Sequence, residues 1–326
     1  MYASSSADGL GQGAGRGRPR WDGLPVWVQA EVARLAGGPV VAARNCPGGF
    51  SPGLASRLII AGGRRVFVKA MDADLWPDEA IPHRIEATIA AALPQTVPAP
   101  RLLGAFDDGH WVVLVFDDID GAPPAQPWNS GDLGRVIAAL QRMTRAVTPS
   151  PIRVPTEHPR LGGWAELARD NSGLARLPAH SAWAAGNLDR LIALEQAGLA
   201  AAQGESLVHF DAYPHNILLT PQRVFFVDWP HARLGNPAID LILILSSAAA
   251  DGIDPEPLLA TRTASEQACL DAILAAHAGF LIAGGLSEPL PGLEAIPKAK
   301  LHLGNGAVRW LRRRLNRSGA AGGGCG

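Results

Sequence analysis

Lysine is almost missing from this chain. Of its 326 residues 29 are Lys or Arg, and only Lys69, Lys298 and Lys300 are Lys. Arg fills nearly every other cationic position, so a retained Lys marks a place that wants a compact charge on a flexible stem rather than a planar fork. Cysteine is equally sparse. Cys46, Cys269 and Cys325 match neither a zinc spacing nor a disulfide framework, so a reduced, cytoplasmic protein is expected. A dominant charge sign is missing too. The net charge is −1, and from residue 121 onward 18 Lys and Arg face 17 Asp and Glu, which argues against nucleic acid or an anionic membrane as partner. The apolar run 239–250 is too short for the roughly 20 residues of a membrane span, and the N-terminal segment lacks the order of a signal peptide. With 47% hydrophobic and 18% charged residues, the chain is otherwise an ordinary globular sequence that buries a core.

The organisation changes along the chain. Residues 1–20, rich in Ser, Gly, Ala and Arg, read as a disordered leader, and 319–326 as a flexible Gly/Ala tail. A short helix is predicted at 26–35. Strands follow at 40–45, 54–60 and 65–70, a helix at roughly 82–93, and strands at 101–106 and 111–116. A Pro/Ala linker at 121–128 then gives way to helical patterns at 133–147, 164–168, 183–202, 255–283 in two pieces, and 301–315. The β signals beyond the linker are confined to a hairpin, 217–219 with 224–228. The fold class is therefore α+β: a small N-terminal β-lobe over 21–120 that would bind nucleotide, and a larger, mainly α-helical lobe over 121–318 for catalysis and acceptor binding. A cleft between lobes is a common place for a ligand.

The chemistry concentrates between residues 209 and 228. His209-Phe210-Asp211 is followed by four residues, Asn216, the hairpin, and then Val227-Asp228-Trp229. Phosphoryl transfer needs a carboxylate to accept a hydroxyl proton, oxygen ligands for Mg²⁺, and a cation on the phosphates. Asp211 suits the first role. Asn216 and Asp228 suit the second, because Mg²⁺ takes a few hard oxygens and leaves room for phosphate and water. Any one of these residues could be an ordinary turn or cap residue; their ordered combination is harder to reach by accident. Lys69 closes the strand Val66-Phe67-Val68-Lys69 and suits the third role. Glu86, 17 residues on, is the expected partner that orients Lys69, with Glu79 as competitor. Backbone N–H groups of Gly48, Gly49, Phe50 and Ser51 in the Gly-rich turn before that strand would cradle phosphates. The turn is no Walker A loop, since no Gly-Lys-Ser/Thr follows.

These residues resemble the aminoglycoside phosphotransferase / choline kinase-like family, which shares the protein-kinase fold. The resemblance runs from about residue 40 to 315. It rests on His209–Asn216, Val227-Asp228-Trp229 and Gly235-Asn236-Pro237-Ala238-Ile239-Asp240. It implies Asp211 as catalytic base, Asn216 and Asp228 as magnesium ligands, Lys69 and Glu86 as the phosphate-orienting pair, and the backbone of Phe116, Asp117 and Asp118 as the hinge that holds the nucleotide base. It also implies that Asp240 holds the catalytic loop by backbone hydrogen bonds and that His209 packs. Two positions depart from the family pattern. Phe210 stands where Gly is usual, and is expected to crowd the loop or shape the acceptor pocket. Asn236 stands where Asp is usual.

The expected reaction moves a phosphoryl group from ATP or GTP, with Mg²⁺, to a small-molecule hydroxyl. An antibiotic acceptor, and so a resistance enzyme, is the first reading. A metabolic kinase for choline, a sugar or an amino-alcohol is the second, and a silent nucleotide-binding module the third. A protein kinase is disfavoured because no Ala-Pro-Glu segment follows Asp228. The balanced charge speaks mildly against a polycationic aminoglycoside. A monomer or weak homodimer is expected. The basic stretch Arg309-Trp310-Leu311-Arg312-Arg313-Arg314-Leu315 reads as a helix end anchored by Trp310, Leu311 and Leu315 rather than a nucleic-acid site.

Overall fold

The computed structural model describes residues 18–46, 51–289 and 294–321. Most of the leader, the turn residues Gly48, Gly49 and Phe50, and the end of the tail lie outside them. In chain order the elements are α1 (Val26–Ala36), β1 (Val40–Asn45), β2 (Leu54–Ile60), β3 (Arg65–Asp72), α2 (Pro77–Ala92), β4 (Leu102–Asp107), β5 (Trp111–Asp117), α3 (Ser130–Ala146), α4 (Trp164–Leu167), α5 (Asn171–His180), α6 (Ala182–Ala185), α7 (Leu188–Ala201), β6 (Ser206–Val208), β7 (Ile217–Leu219), β8 (Val224–Phe226), β9 (Arg233–Gly235), α8 (Ala238–Ala250), α9 (Ala264–Leu286) and α10 (Ala295–Ala321). The chain divides into two compact units. One takes Met1–Ala122, Leu218–His231 and Pro291–Leu293, and the other takes Pro123–Ile217, Ala232–Leu290 and Glu294–Gly326.

The first unit is built on a five-stranded sheet in the order β1-β2-β3-β5-β4, every pairing antiparallel. Its period-2 alternation decides what each face carries. Val66, Val68 and Ala70 of β3, with Val113 and Val115 of β5, point to the side where Val28, Val32 and Ala36 of α1 pack. Phe67 and Met71, with Val112, Leu114 and Phe116, point to the other side, against Ala80, Ala87 and Ala90 of α2. Lys69 shares the parity of Phe67 and Met71, so the strand delivers it to the α2 face. Helix α2 begins five residues before the expected start. Pro77 occupies the first turn, where its missing N–H costs nothing, and Pro82 is carried inside the helix. The buried positions Ala80, His83, Glu86 and Ile89 then fall at intervals of three on one stripe. Glu79, the competitor, lies exposed in the first turn. The β7–β8 hairpin joins this unit through Leu219, which pairs with Ala122, and through the Phe226 N–H, which donates to the Pro98 carbonyl at 2.7 Å.

The second unit is helical. Helix α9 starts with a reciprocal cap between Thr263 and Glu266 and packs on α7 and α10. It is the one helix among the described residues long and apolar enough to cross a membrane, and 78% of its apolar window is buried within the protein, as suits a core helix. Gly198 lets α7 approach it closely: a Cβ there would overlap the Ala272 carbonyl. Two short elements escaped the sequence reading: β6 and β9 form a two-stranded ribbon pairing Ser206 with Gly235 and Val208 with Arg233. Helices α5 and α8 likewise lie outside the expected helices, although the run 239–250 of α8 is plainly apolar. The last helix reaches from Ala295 to Ala321, well beyond the expected 301–315 and into the expected tail. Of its basic stretch, Arg314 is tied inward while Arg309, Arg312 and Arg313 are exposed. Arg314 bonds Asp271, Glu256 and Gln267, the Trp310 indole donates to Glu256 at 2.7 Å, and Trp310 and Leu311 are fully buried.

Candidate functional site

The first unit holds a three-residue charge cluster. The Lys69 ammonium lies 2.8 and 2.6 Å from the two carboxylate oxygens of Glu86 and 2.8 Å from Asp228 Oδ1. Burial works against the Lys69 charge, but the Asp228 and Glu86 carboxylates outweigh it and hold the ammonium well above its ordinary value. Burial pushes the Glu86 carboxyl up, while Lys69 and the Trp229 backbone N–H oppose that. The Glu86 side chain is 5% exposed and the Asp228 side chain 45%, so Asp228 is the carboxylate a ligand can reach. Asp228 sits at φ 67°, a left-handed conformation that a non-Gly residue holds at a cost of about 1–3 kcal/mol and that recurs at functional sites.

Around this cluster the candidates fare differently. Of the four turn residues expected to cradle phosphates only Ser51 is described; its carbonyl accepts from Arg18 Nε at 2.8 Å and its hydroxyl from the Gly53 N–H at 3.3 Å. Arg18, from the expected disordered leader, is thus bound to the turn. Phe116 and Asp117 end β5, and the Asp117 N–H donates to the Arg101 carbonyl at 3.0 Å. Asp118 follows, its carboxylate held by Arg65 at 2.7 Å and Arg57 at 3.3 Å, a clamp not foreseen from sequence.

The second unit carries Asp211. Strand β6 ends at Val208, and Asp240, in the first turn of α8, accepts the backbone N–H groups of His209 at 2.7 Å and Phe210 at 2.8 Å. This is the loop-holding arrangement expected of Asp240. Burial pushes its carboxyl up to about 6, against those two donors. Phe210 has φ 63°, which explains why Gly suits the position. Its ring is buried, 5.6 Å from the His158 ring. Phe210 therefore acts as a packing residue, and the expectation that it shapes an acceptor pocket finds no support. Losing the ring costs about 3–5 kcal/mol and relieving the backbone returns about 1–2. We expect Phe210→Gly to lower stability by roughly 2–3 kcal/mol in urea unfolding; an unchanged midpoint would contradict the packing role.

Asn216 closes the loop. Its amide N–H₂ donates to the Asp211 carbonyl and to Asp211 Oδ2, each at 3.0 Å, which leaves its amide oxygen without a hydrogen bond among the described residues. That oxygen and the accessible Asp228 carboxylate are hard ligands of the kind Mg²⁺ takes. The remaining Asp211 oxygen is bonded by Arg160. Sequence reasoning missed Arg160: it lies 51 residues away in a loop of no periodicity, one of 26 Arg.

Two buried histidines set an acid limit. Burial, aided by the Lys69 ammonium, lowers His83 to about 4; burial, aided by the Arg160 guanidinium, lowers His277 to about 4. Both are neutral in either state above pH 6.5. As pH falls from 6.5 to 4 only the unfolded chain takes up these protons, so stability is lost across that window, about 3 kcal/mol per residue. Urea midpoints measured from pH 7 to 4 should fall steeply, and less steeply in His277→Gln; parallel slopes would contradict this.

The family comparison falls on these residues. Residues 46–278 match the phosphotransferase enzyme family (APH), and the chain belongs to that family. It is thus a phosphotransferase whose acceptor is an alcohol group. No curated protein sequence matches. Among solved structures, it is similar to a spectinomycin phosphotransferase in complex with ADP and spectinomycin, at 14% identity and a TM-score of 0.57 over 89% of this chain and 98% of that one. It is also similar to a thermostable mutant of an aminoglycoside phosphotransferase in a ternary complex with AMP-PNP and hygromycin B, at 14% identity and a TM-score of 0.54 over 89% and 99%. The likeness shows a shared fold, the protein-kinase-like one.

Proposed function

We propose that the chain is an ATP-dependent, or GTP-dependent, kinase for a hydroxyl of a small molecule, with an antibiotic as the first candidate acceptor and resistance as the consequence. The observation that carries this is the Lys69–Glu86–Asp228 cluster, whose Lys69–Glu86 pair burial alone would penalise and whose charges phosphate and metal binding would account for. In this reading Asp211 accepts the acceptor's hydroxyl proton. The hydroxyl oxygen bonds the γ-phosphorus as the bond to the bridging oxygen breaks, leaving a phosphate monoester and ADP. Lys69, oriented by Glu86, contacts the donor's phosphates, and the backbone near Phe116, Asp117 and Asp118 receives its base. Asn216 and Asp228 would hold magnesium, which would supply positive charge against the transferring phosphate.

The test is nucleoside diphosphate release from ATP and from GTP, over a panel of hydroxylated antibiotics and metabolites. Release that depends on an antibiotic acceptor is expected, together with reduced susceptibility of cells expressing the gene. Stimulation by choline, sugars or amino-alcohols alone would replace resistance with metabolism. Nucleotide binding with no stimulated release would overturn the kinase reading.

A further inference from the structure

Arg160 and Lys300 have no part in the reading above, yet both stand on the same stretch of α9. The segment carrying Arg160 lies on that helix: the Gly162 N–H donates to the Ala276 carbonyl at 2.8 Å, and a Cβ at Gly163 would meet the Gly279 carbonyl at 2.6 Å. Phe280 is three residues past His277, about 4.5 Å along the axis. The Lys300 ammonium sits over the Phe280 ring, 4.5 Å from its centroid, and its stem fills the space that a Cβ at Gly284 would need.

The charges here do not balance. Lys300 is half-buried and has no carboxylate within bonding reach among the described residues. Burial and the Arg160 guanidinium both push its ammonium down, and no carboxylate offsets them. An aromatic face returns about 0.5–2 kcal/mol, less than partial burial of a charge takes away. Arg233 is in the same field, countered by Glu157. Asp211 is bonded to Arg160, and Lys300 has no such partner among the described residues. In a chain that has replaced nearly all its lysines, a Lys kept at such a position suits an anionic ligand.

We propose that Arg160 and Lys300 form an anion-binding subsite for the acceptor, which is therefore a hydroxylated small molecule carrying a carboxylate or a phosphate. The acceptor's anion takes the guanidinium from Asp211, and the freed carboxylate receives the hydroxyl proton. The inference rests on Asp211 as the base, since Asp211 ties Arg160 to the reacting hydroxyl.

The test uses the full chain saturated with AMP-PNP and magnesium, so that the donor site is filled. Calorimetric titration compares gluconate with glucose, ribose 5-phosphate with ribose, and both pairs with a polycationic aminoglycoside. At least one anionic member should bind about ten-fold or more tighter than its neutral parent, the scale of one charge-assisted hydrogen bond. Gluconate or ribose 5-phosphate shows which anion is preferred. Lys300→Met and Lys300→Gln should each erase that preference. Equal binding within each pair, tighter binding of the aminoglycoside, or a preference that survives both variants would overturn the proposal. Those outcomes with Asp211→Asn still inactive would leave Asp211 standing as the base, whereas an active Asp211→Asn removes that base and with it the ground of this inference.

Discussion

Asp211→Asn should lower turnover about 10²–10⁴-fold while leaving nucleotide affinity largely unchanged. The amide cannot accept the hydroxyl proton, so the loss falls on the chemical step and appears in kcat. The fold should survive. Asp211 is buried and Arg160 26% exposed, and the asparagine keeps an amide oxygen that can accept from Arg160, so no cation is stranded. Asn216 can still donate to the Asp211 carbonyl, which the substitution leaves in place. The measurement is steady-state ADP release beside nucleotide titration and urea unfolding. Full activity in Asp211→Asn would end the assignment of the base. Lost activity with lost folding would instead mark Asp211 as structural, and Asp211→Ser, which also cannot act as the base, would separate the two.

Much of the first unit could be read before the structure because its information is local. The alternation of β3 alone places Lys69 opposite Val68, and the stripe through His83 and Glu86 is a helical periodicity. The expected bounds of the five strands lie within one or two residues of the observed ones, since each strand is long enough to show its period. The misses have the opposite character. Strands β6 and β9 have three residues each, too few for any pattern, and gain their identity from pairing across the loop that carries Asp211. The sequence places the start of α2 too late because Pro82 reads as a helix beginning, whereas the packing of Ala80 carries the helix through it. Phe210 shows a local signal read incompletely: an unusual residue at a Gly position was seen, but its left-handed backbone and its burial against His158 are tertiary facts. Arg160 and the Arg57–Arg65 clamp on Asp118 were invisible, since one Arg among 26 carries no signal. Lys300 stood out by its rarity, yet only packing against Phe280 gives it a place.

Lys69→Met should be the most destabilising single change in the first unit that leaves the hydrophobic core intact. It strands Glu86, almost wholly buried, without the ammonium that now bonds both its oxygens. Removing one partner of a buried pair costs about 3–5 kcal/mol, far more than the intact pair contributes. The pH dependence identifies the cause. Burial already pushes the Glu86 carboxyl up, and without Lys69 nothing of comparable strength pulls it back. Its folded value then lies well above its unfolded value near 4.5. Stability is complete below the unfolded value and is lost as pH rises through the folded one, so the gap between variant and parent widens from about pH 4.5 upward. Adding Glu86→Gln to Lys69→Met should recover part of the loss at pH 7, because it removes the stranded charge. Lys69→Arg should keep more stability than Lys69→Met but lose turnover, since a planar fork cannot reproduce the contacts of the compact ammonium. Urea midpoints of these four proteins from pH 4.5 to 8, with ADP release beside them, test the argument. A Lys69→Met protein as stable as the parent at pH 7, or a gap that does not change with pH, would show that the Glu86 carboxylate is not held as a buried charge by Lys69.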